Sequence, residues 1–247
     1  MTVTNMVDKK VVAIAGASSG TGKAMAEVLA GEGYPVALAA RREALLKEIA
    51  GSITEAGGRA LPVQADLGVW EQTQAFIQRT VAEYGRVDVL INNAGWGIRS
   101  SEFDELSIGE VEEGLAVNLT SVLYGCKAVL PVMKRQKGGH IINVSSILGK
   151  RSRSGLAVYT ACKHAVEGFS RSLMNEVSKY GIKVSIFAPA AIRTPWAEKA
   201  GITLAKDIRF LEAEDVARVV QVLIETAEHV NVWNLDVISR EQTIDPI

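Results

Sequence analysis

The sequence predicts an α/β chain built on a doubly wound parallel sheet of about seven strands, with helices on both faces. Three observations predict it. Short, almost wholly apolar runs alternate with longer helical patterns through the 247 residues, as repeated β-α-β units require. Several of these runs are continuously apolar, as strands covered on both faces must be. A glycine-rich turn then joins the first run directly to the first helical pattern.

In chain order, the strand candidates lie at 11–15, 35–40, 60–64, 87–91, 140–144, 183–187 and 232–237. Between them, Leu45, Leu46, Ile49 and Ile53, and then Phe76, Ile77 and Val81, recur at the spacing of a helix face turned to a core. Longer helical patterns cover 111–136 and 157–180, and another starts at Glu212. No internal repeat or Pro/Gly-rich linker interrupts the pattern, so residues 1–247 are expected to form a single domain. The least regular stretch, 188–211, is the expected substrate loop.

Lysine and arginine (27) nearly balance aspartate and glutamate (28). No overall field draws the chain to nucleic acid or an anionic membrane, and the expected partner is a small molecule. The polar residues 1–10 do not read as a signal peptide, and no later stretch reads as a span free of charge, which sets the expectation of a cytoplasmic protein. Cys126 and Cys162 lack metal-ligand spacing, and His140, His164 and His229 do not cluster, so no metal is expected.

The first strand runs into Gly16-Ala17-Ser18-Ser19-Gly20-Thr21-Gly22, and a helical pattern opens at Lys23. Glycines permit positive φ and close backbone approach, while the free N–H groups of a helix start favour a pyrophosphate. This is the context of a Rossmann dinucleotide site. Two alternatives stand beside it. One is an ordinary glycine turn. The other is the nucleophile elbow of a serine hydrolase, since Gly16 to Gly20 also reads G-x-S-x-G with Ser18 at its centre. Chain order opposes the elbow, because only a polar tail and one strand precede Ser18.

After the second strand, where an acidic residue accepts from the 2′-hydroxyl of NAD, the chain reads Ala40-Arg41-Arg42. Two guanidiniums and no carboxylate point to a 2′-phosphate, hence NADP(H). The alternative is that both arginines cap the next helix in solvent.

Tyr159 and Lys163, four residues apart, share a helix face. The ammonium is expected to favour phenolate and lower the tyrosine pKa, giving an acid for ketone reduction or a base for alcohol oxidation. Asn143-Val144-Ser145-Ser146-Ile147-Leu148-Gly149 leaves the fifth strand shortly before. With Asp66, Asn92-Asn93-Ala94-Gly95, Asn118, Pro189 and Thr194, the sequence resembles the short-chain dehydrogenase/reductase family from Lys10 to about Val237.

The resemblance implies a catalytic set of Asn118, Ser146, Tyr159 and Lys163. Tyr159 would be the general acid/base, and Ser146 would bond the substrate oxygen and the phenol. Lys163 would bind the nicotinamide ribose, and Asn118 would hold a water linking Lys163 to solvent. Gly16, Ser18, Ser19, Gly20, Thr21 and Gly22 would cradle the pyrophosphate. Asp66 and Leu67 would meet the adenine, and Asn93, Ala94 and Gly95 the adenosine. Pro189, Ile192 and Thr194 would meet the nicotinamide. The resemblance also implies a homotetramer or homodimer, with 111–136 and 157–180 as contact surfaces.

Two positions depart from the family pattern. Ala15 replaces a threonine that fastens the glycine turn, and Ala190 replaces a glycine after Pro189. Trp96, Leu148 and Trp196 follow the motifs and are candidates for an apolar substrate wall. Arg99 and the run Lys150-Arg151-Ser152-Arg153 either recognise an anionic substrate or serve as solvated or subunit-contact charges. The expected function is an NADP(H)-dependent carbonyl reductase or alcohol dehydrogenase. A non-catalytic NADP(H)-binding regulator and a serine hydrolase are the alternatives.

Overall fold

The computed structural model describes residues 9–242. Seven strands pair in parallel: β1 (Val12–Ala15), β2 (Val36–Ala40), β3 (Ala60–Gln64), β4 (Val89–Asn92), β5 (Gly139–Val144), β6 (Ile182–Pro189) and β7 (Asn234–Val237). Each overlaps a run expected to be a strand. Their spatial order is β3-β2-β1-β4-β5-β6-β7.

Period-two alternation divides β1 between two cores. Val12 and Ile14 pack with α1 (Gly20–Gly31), α2 (Glu43–Glu55) and α8 (Ala213–Glu225). Ala13 and Ala15 pack on the other face, with α3 (Trp70–Tyr84), α5 (Ser121–Gln136) and α6 (Ala157–Val177). Burial on both faces is the reason these strands read as continuous apolar runs.

From β1 the chain winds outward to β3, then returns to begin β4 on the other side of β1. Connections leaving β1 and β4 diverge, and a crevice opens at their carboxyl ends. The register sets Ala15 opposite Asn92, which brings Gly16 and Asn93 together at the crevice floor.

Three sequence expectations change. The helical pattern at 111–136 begins earlier, as α4 (Ile108–Leu115), and passes through a π turn at Ala116–Thr120 before α5. By length and composition Ile108–Gln136 does reach what a membrane-crossing helix needs; here α5 packs on α3, β4 and β5. Ala188 and Pro189 belong to β6, so the irregular segment begins at Ala190. It is broken by α7 (Pro195–Lys199) and tied by a parallel bridge between Ile192 and Leu211. Alanine fits at 190: among the described residues only Lys137 has positive φ outside glycine, and the Ala190 N–H donates to Val237 at 2.8 Å.

Candidate active site

A cleft of about 710 Å³ follows the carboxyl edge of the sheet. It is lined by every residue of the expected site except Gly22 and Asn118, which lie buried behind its wall.

At one end lies the glycine turn, where φ is +86° at Gly16 and +55° at Gly20. A Cβ on Gly16 would meet Ala94 Cα at 2.6 Å, and one on Gly22 would meet the Gly16 oxygen at 2.1 Å. These two glycines therefore permit backbone packing inside the protein. The fastening expected from a threonine at position 15 comes from Asn93. Its amide nitrogen donates to the Gly16 oxygen at 3.1 Å, and its Oδ1 accepts from Thr21 Oγ1 at 2.8 Å.

Arg42 braces the turn from the other side, donating to Ser18 Oγ at 2.8 Å and to Ser19 Oγ at 2.7 Å. Arg41 reaches across to Glu113 on α4 at 3.1 Å, and its guanidinium lies 5.8 Å from the centre of the Trp96 ring. Asp66 Oδ1 accepts from Gly68 N at 2.9 Å, a turn that presents residues 66 to 68 to the cleft.

In the middle, β5 delivers Ser146 and α6 delivers Tyr159 and Lys163. Ser146 caps the short 3₁₀ turn Ile147–Gly149, accepting from Leu148 N at 3.1 Å, and lines the cleft with the Tyr159 phenol, whose pKa it lowers. Its neighbour Ser145 points away, donating to the Lys163 oxygen at 3.5 Å. Lys163 Nζ donates to the Val144 oxygen at 2.9 Å and lies 5.5 Å from the centre of the Tyr159 ring.

The tyrosine pKa does not move as expected. Burial pushes the Tyr159 phenol up to about 12, only partly opposed by the hydrogen bond from Ser146. Burial also holds the Lys163 ammonium down at about 8. Desolvation disfavours the charged form of each and is the largest cause of both shifts.

Asn118 sits in the π turn, fully buried. Its amide nitrogen donates to the Trp96 and Gly114 oxygens at 3.2 and 3.0 Å, and its Oδ1 accepts from Trp96 N at 3.1 Å. The side chain is thus a clamp between the segment after β4 and α4, with no amide hydrogen left for a water.

At the other end the wall is apolar and comes from three segments outside the sheet. Trp196 on α7 lies against Tyr159, with ring centroids 4.9 Å apart. Trp96, Leu148, Leu156 and Ile202 complete the wall. Main-chain bonds join the segments, from Ser100 N to the Ala200 oxygen at 2.9 Å and from Ser101 N to the Gly155 oxygen at 3.2 Å.

A family model described as short chain dehydrogenase matches residues 10–205. The chain belongs to the short-chain dehydrogenase family. It is 32% identical over 241 residues to an uncharacterized oxidoreductase of Staphylococcus epidermidis, covering 98% of this chain and 99% of the relative. Among solved structures, an alcohol dehydrogenase from the archaeon Thermococcus sibiricus, complexed with 5-hydroxy-NADP, superposes with a TM-score of 0.88 at 28% identity. That match covers 96% of this chain and 100% of the other. A 3-ketoacyl-(acyl-carrier-protein) reductase from Brucella melitensis, complexed with NADH, gives 0.87 at 29% identity, covering 94% and 98%.

In this short-chain dehydrogenase the hydrolase alternative finds no support. The Ser18 hydroxyl accepts from Arg42, and no histidine lines the cleft. His140 lies buried, 2.8 Å from Ser185 Oγ, and burial pulls its pKa down to about 3. Cys162 is fully buried beside Tyr159. Sequence reasoning missed Glu113, Leu156 and Lys199 in the site. Only Lys199 carried a local signal, lying three residues after Trp196 on a helical spacing. Glu113 reaches the site through the packing of α4 alone.

Proposed function

We propose that this short-chain dehydrogenase is an NADP(H)-dependent carbonyl reductase or alcohol dehydrogenase with Tyr159 as its general acid/base. The observation that carries the reading is the buried Tyr159 phenol, with Lys163 Nζ 5.5 Å from its ring centre and Ser146 beside it, on the wall of the cleft whose far end presents Arg41 and Arg42.

The donor set suits a phosphorylated dinucleotide. A turn of small residues opens a helix start, and two arginines stand where a 2′-phosphate would lie. Arg41 would exchange Glu113 for that phosphate, and Arg42 would keep the turn closed around the pyrophosphate. Pro189, Ile192 and Thr194 border the nicotinamide end. When bound, the nicotinamide supplies or accepts a hydride.

Ser146 and Tyr159 donate hydrogen bonds to the substrate carbonyl oxygen. As that oxygen gains negative charge, Tyr159 gives up its proton to it. A phenol pushed up to about 12 is protonated at neutral pH and ready as an acid. The reverse direction needs phenolate, which Lys163 favours while its ammonium, held at about 8, remains charged. The clamped side chain of Asn118 fixes α4 against the segment after β4. By family analogy the enzyme is a homotetramer or homodimer, with 111–136 and 157–180 as its contact surfaces.

Tyr159→Phe is expected to lower kcat for NADPH-dependent reduction by at least about 10³-fold, while NADPH binding, read by fluorescence titration, stays within about twofold. In the wild type, reduction uses the acid form and is expected to be level from about pH 6 to 8. Alcohol oxidation uses the base form and should rise by up to about tenfold per pH unit over the same range. Turnover by the phenylalanine variant removes the mechanism. Binding without turnover of any carbonyl by the wild type makes the protein a regulator.

A further inference from the structure

The cleft is far more basic than the chain. Lysine and arginine (27) balance aspartate and glutamate (28) overall, yet Arg41, Arg42, Arg151, Arg153, Lys163 and Lys199 line the cleft against one carboxylate, Asp66. In the reading above, Arg41 meets the 2′-phosphate, Arg42 keeps the turn closed around the pyrophosphate and Lys163 serves the proton donor. Asp66 belongs to the adenine end. Among the described residues, the substrate half is left with Arg153 and Lys199, and no acid lines it.

Placement gives these cations a use. Lys199 follows Trp196 by three residues on α7, so both occupy one side of the short helix. The Trp196 ring covers Tyr159 at 4.9 Å, and Lys199 Nζ lies 5.0 Å from the centre of the Trp96 ring. The ammonium thus lies over Trp96, a ring that Arg41 also approaches at 5.8 Å and that belongs to one apolar cluster with Trp196 and Tyr159. Arg151 and Arg153 lie in the segment joining Ser146 to Tyr159.

Other cations nearby are neutralised. Lys150 is held by Asp236 and Asn234, Arg99 pairs with Glu105 and Glu110, and Arg193 pairs with Glu212. Among the described residues, Arg153 and Lys199 have no ion-pair partner. Of the basic run read from the sequence, the fold thus spends Lys150 on β7 and turns Arg151 and Arg153 to the cleft.

We propose that the substrate is a carbonyl compound with an apolar, ring-sized body and a terminal anionic group, a carboxylate or a phosphate, bound by Arg153 and Lys199. The apolar body lies between Trp96, Leu148 and Trp196 with its carbonyl at Tyr159. This deepens the reductase reading and rests on it. Half-exposed cations in water discriminate modestly, so the expected preference is about tenfold in kcat/KM.

The experiment compares NADPH-dependent reduction of 4-carboxybenzaldehyde, 4-formylphenyl phosphate and the neutral methyl 4-formylbenzoate, at low and high salt. Either anion is expected to exceed the ester by about tenfold, mostly through KM, and the better anion names the group. Salt should shrink the ratio. In Lys199→Met and Arg153→Ala the ratio should fall towards one, with unchanged NADPH affinity reporting an intact fold. Equal or better use of the ester, or a ratio untouched by both substitutions, overturns the proposal.

If NADPH binds but no aldehyde is reduced, the reductase reading fails, and a second measurement decides the anion site. Tryptophan fluorescence of the NADP⁺-loaded protein is titrated with benzoate and with benzamide. Saturable quenching by benzoate alone, lost in Lys199→Met, supports the site, and equal or absent quenching rejects it.

Discussion

The two ends of the cleft are built by different means. The nucleotide end is made of backbone and small side chains at the sheet edge, cross-tied by Asn93, Thr21 and Arg42, with glycines where no Cβ fits. The substrate end is made of large side chains, Trp96, Leu148, Leu156 and Trp196, on segments that leave the sheet and are joined by a few main-chain bonds. One end therefore answers to the fold and accepts little change. The other answers to the identity of its side chains, and substitutions there redirect specificity at little structural cost.

The largest effect is expected from Gly22→Ala. Its Cβ would meet the Gly16 oxygen at 2.1 Å and Asn93 Nδ2 at 2.7 Å, both parts of one tied unit. Loss of about 3 kcal/mol or more of stability is expected, with NADPH binding abolished. Thermal melting and fluorescence titration measure the two. A variant with wild-type Tm and affinity would break the contrast between the ends.

Next is Arg41→Asp, which places a carboxylate where a 2′-phosphate is proposed and beside Glu113. The ratio of NADPH to NADH dissociation constants should shift by about 100-fold towards NADH. An unchanged ratio removes Arg41 from cofactor choice and leaves Arg42 as its reader.

The smallest effect belongs to the substrate end. Trp196→Ala should lower kcat/KM for ring-bearing carbonyls by about tenfold while leaving that for acetaldehyde within about threefold. NADPH affinity and Tm should hardly move. Uniform loss for both substrates, or a collapsed Tm, would show that Trp196 supports the fold around Tyr159 and would erase the distinction drawn between the ends.

Much of the fold was legible because strand burial leaves a direct mark. All seven expected runs overlap strands, since a parallel sheet covered on both faces requires apolar residues at consecutive positions. Elements carrying a second signal were harder to read. The π turn at Ala116–Thr120 shifts the helix by a residue without changing its apolar composition, and β6 continues through Pro189 because its last residues pair with β7.

In the site, Tyr159 and Lys163 share a face of α6, and Ser146, expected from the family resemblance, lines the same cleft. The direction of the tyrosine pKa was wrong. Charge proximity can be read from spacing, whereas desolvation depends on how completely other segments cover the ring, and here Trp196 and the α4 region do so.

By itself, then, the sequence determined the parallel sheet, the glycine turn, the Tyr159/Lys163 pair and membership of the short-chain dehydrogenases, because each leaves its mark in consecutive or closely spaced residues. Only the tertiary structure decided which of the basic residues face the cleft, that Asn93 ties the glycine turn to the end of β4, and that Arg41 spans to Glu113. Those outcomes depend on segments up to 86 residues apart, as in the Lys150–Asp236 pair. No local spacing records where packing will bring such segments together.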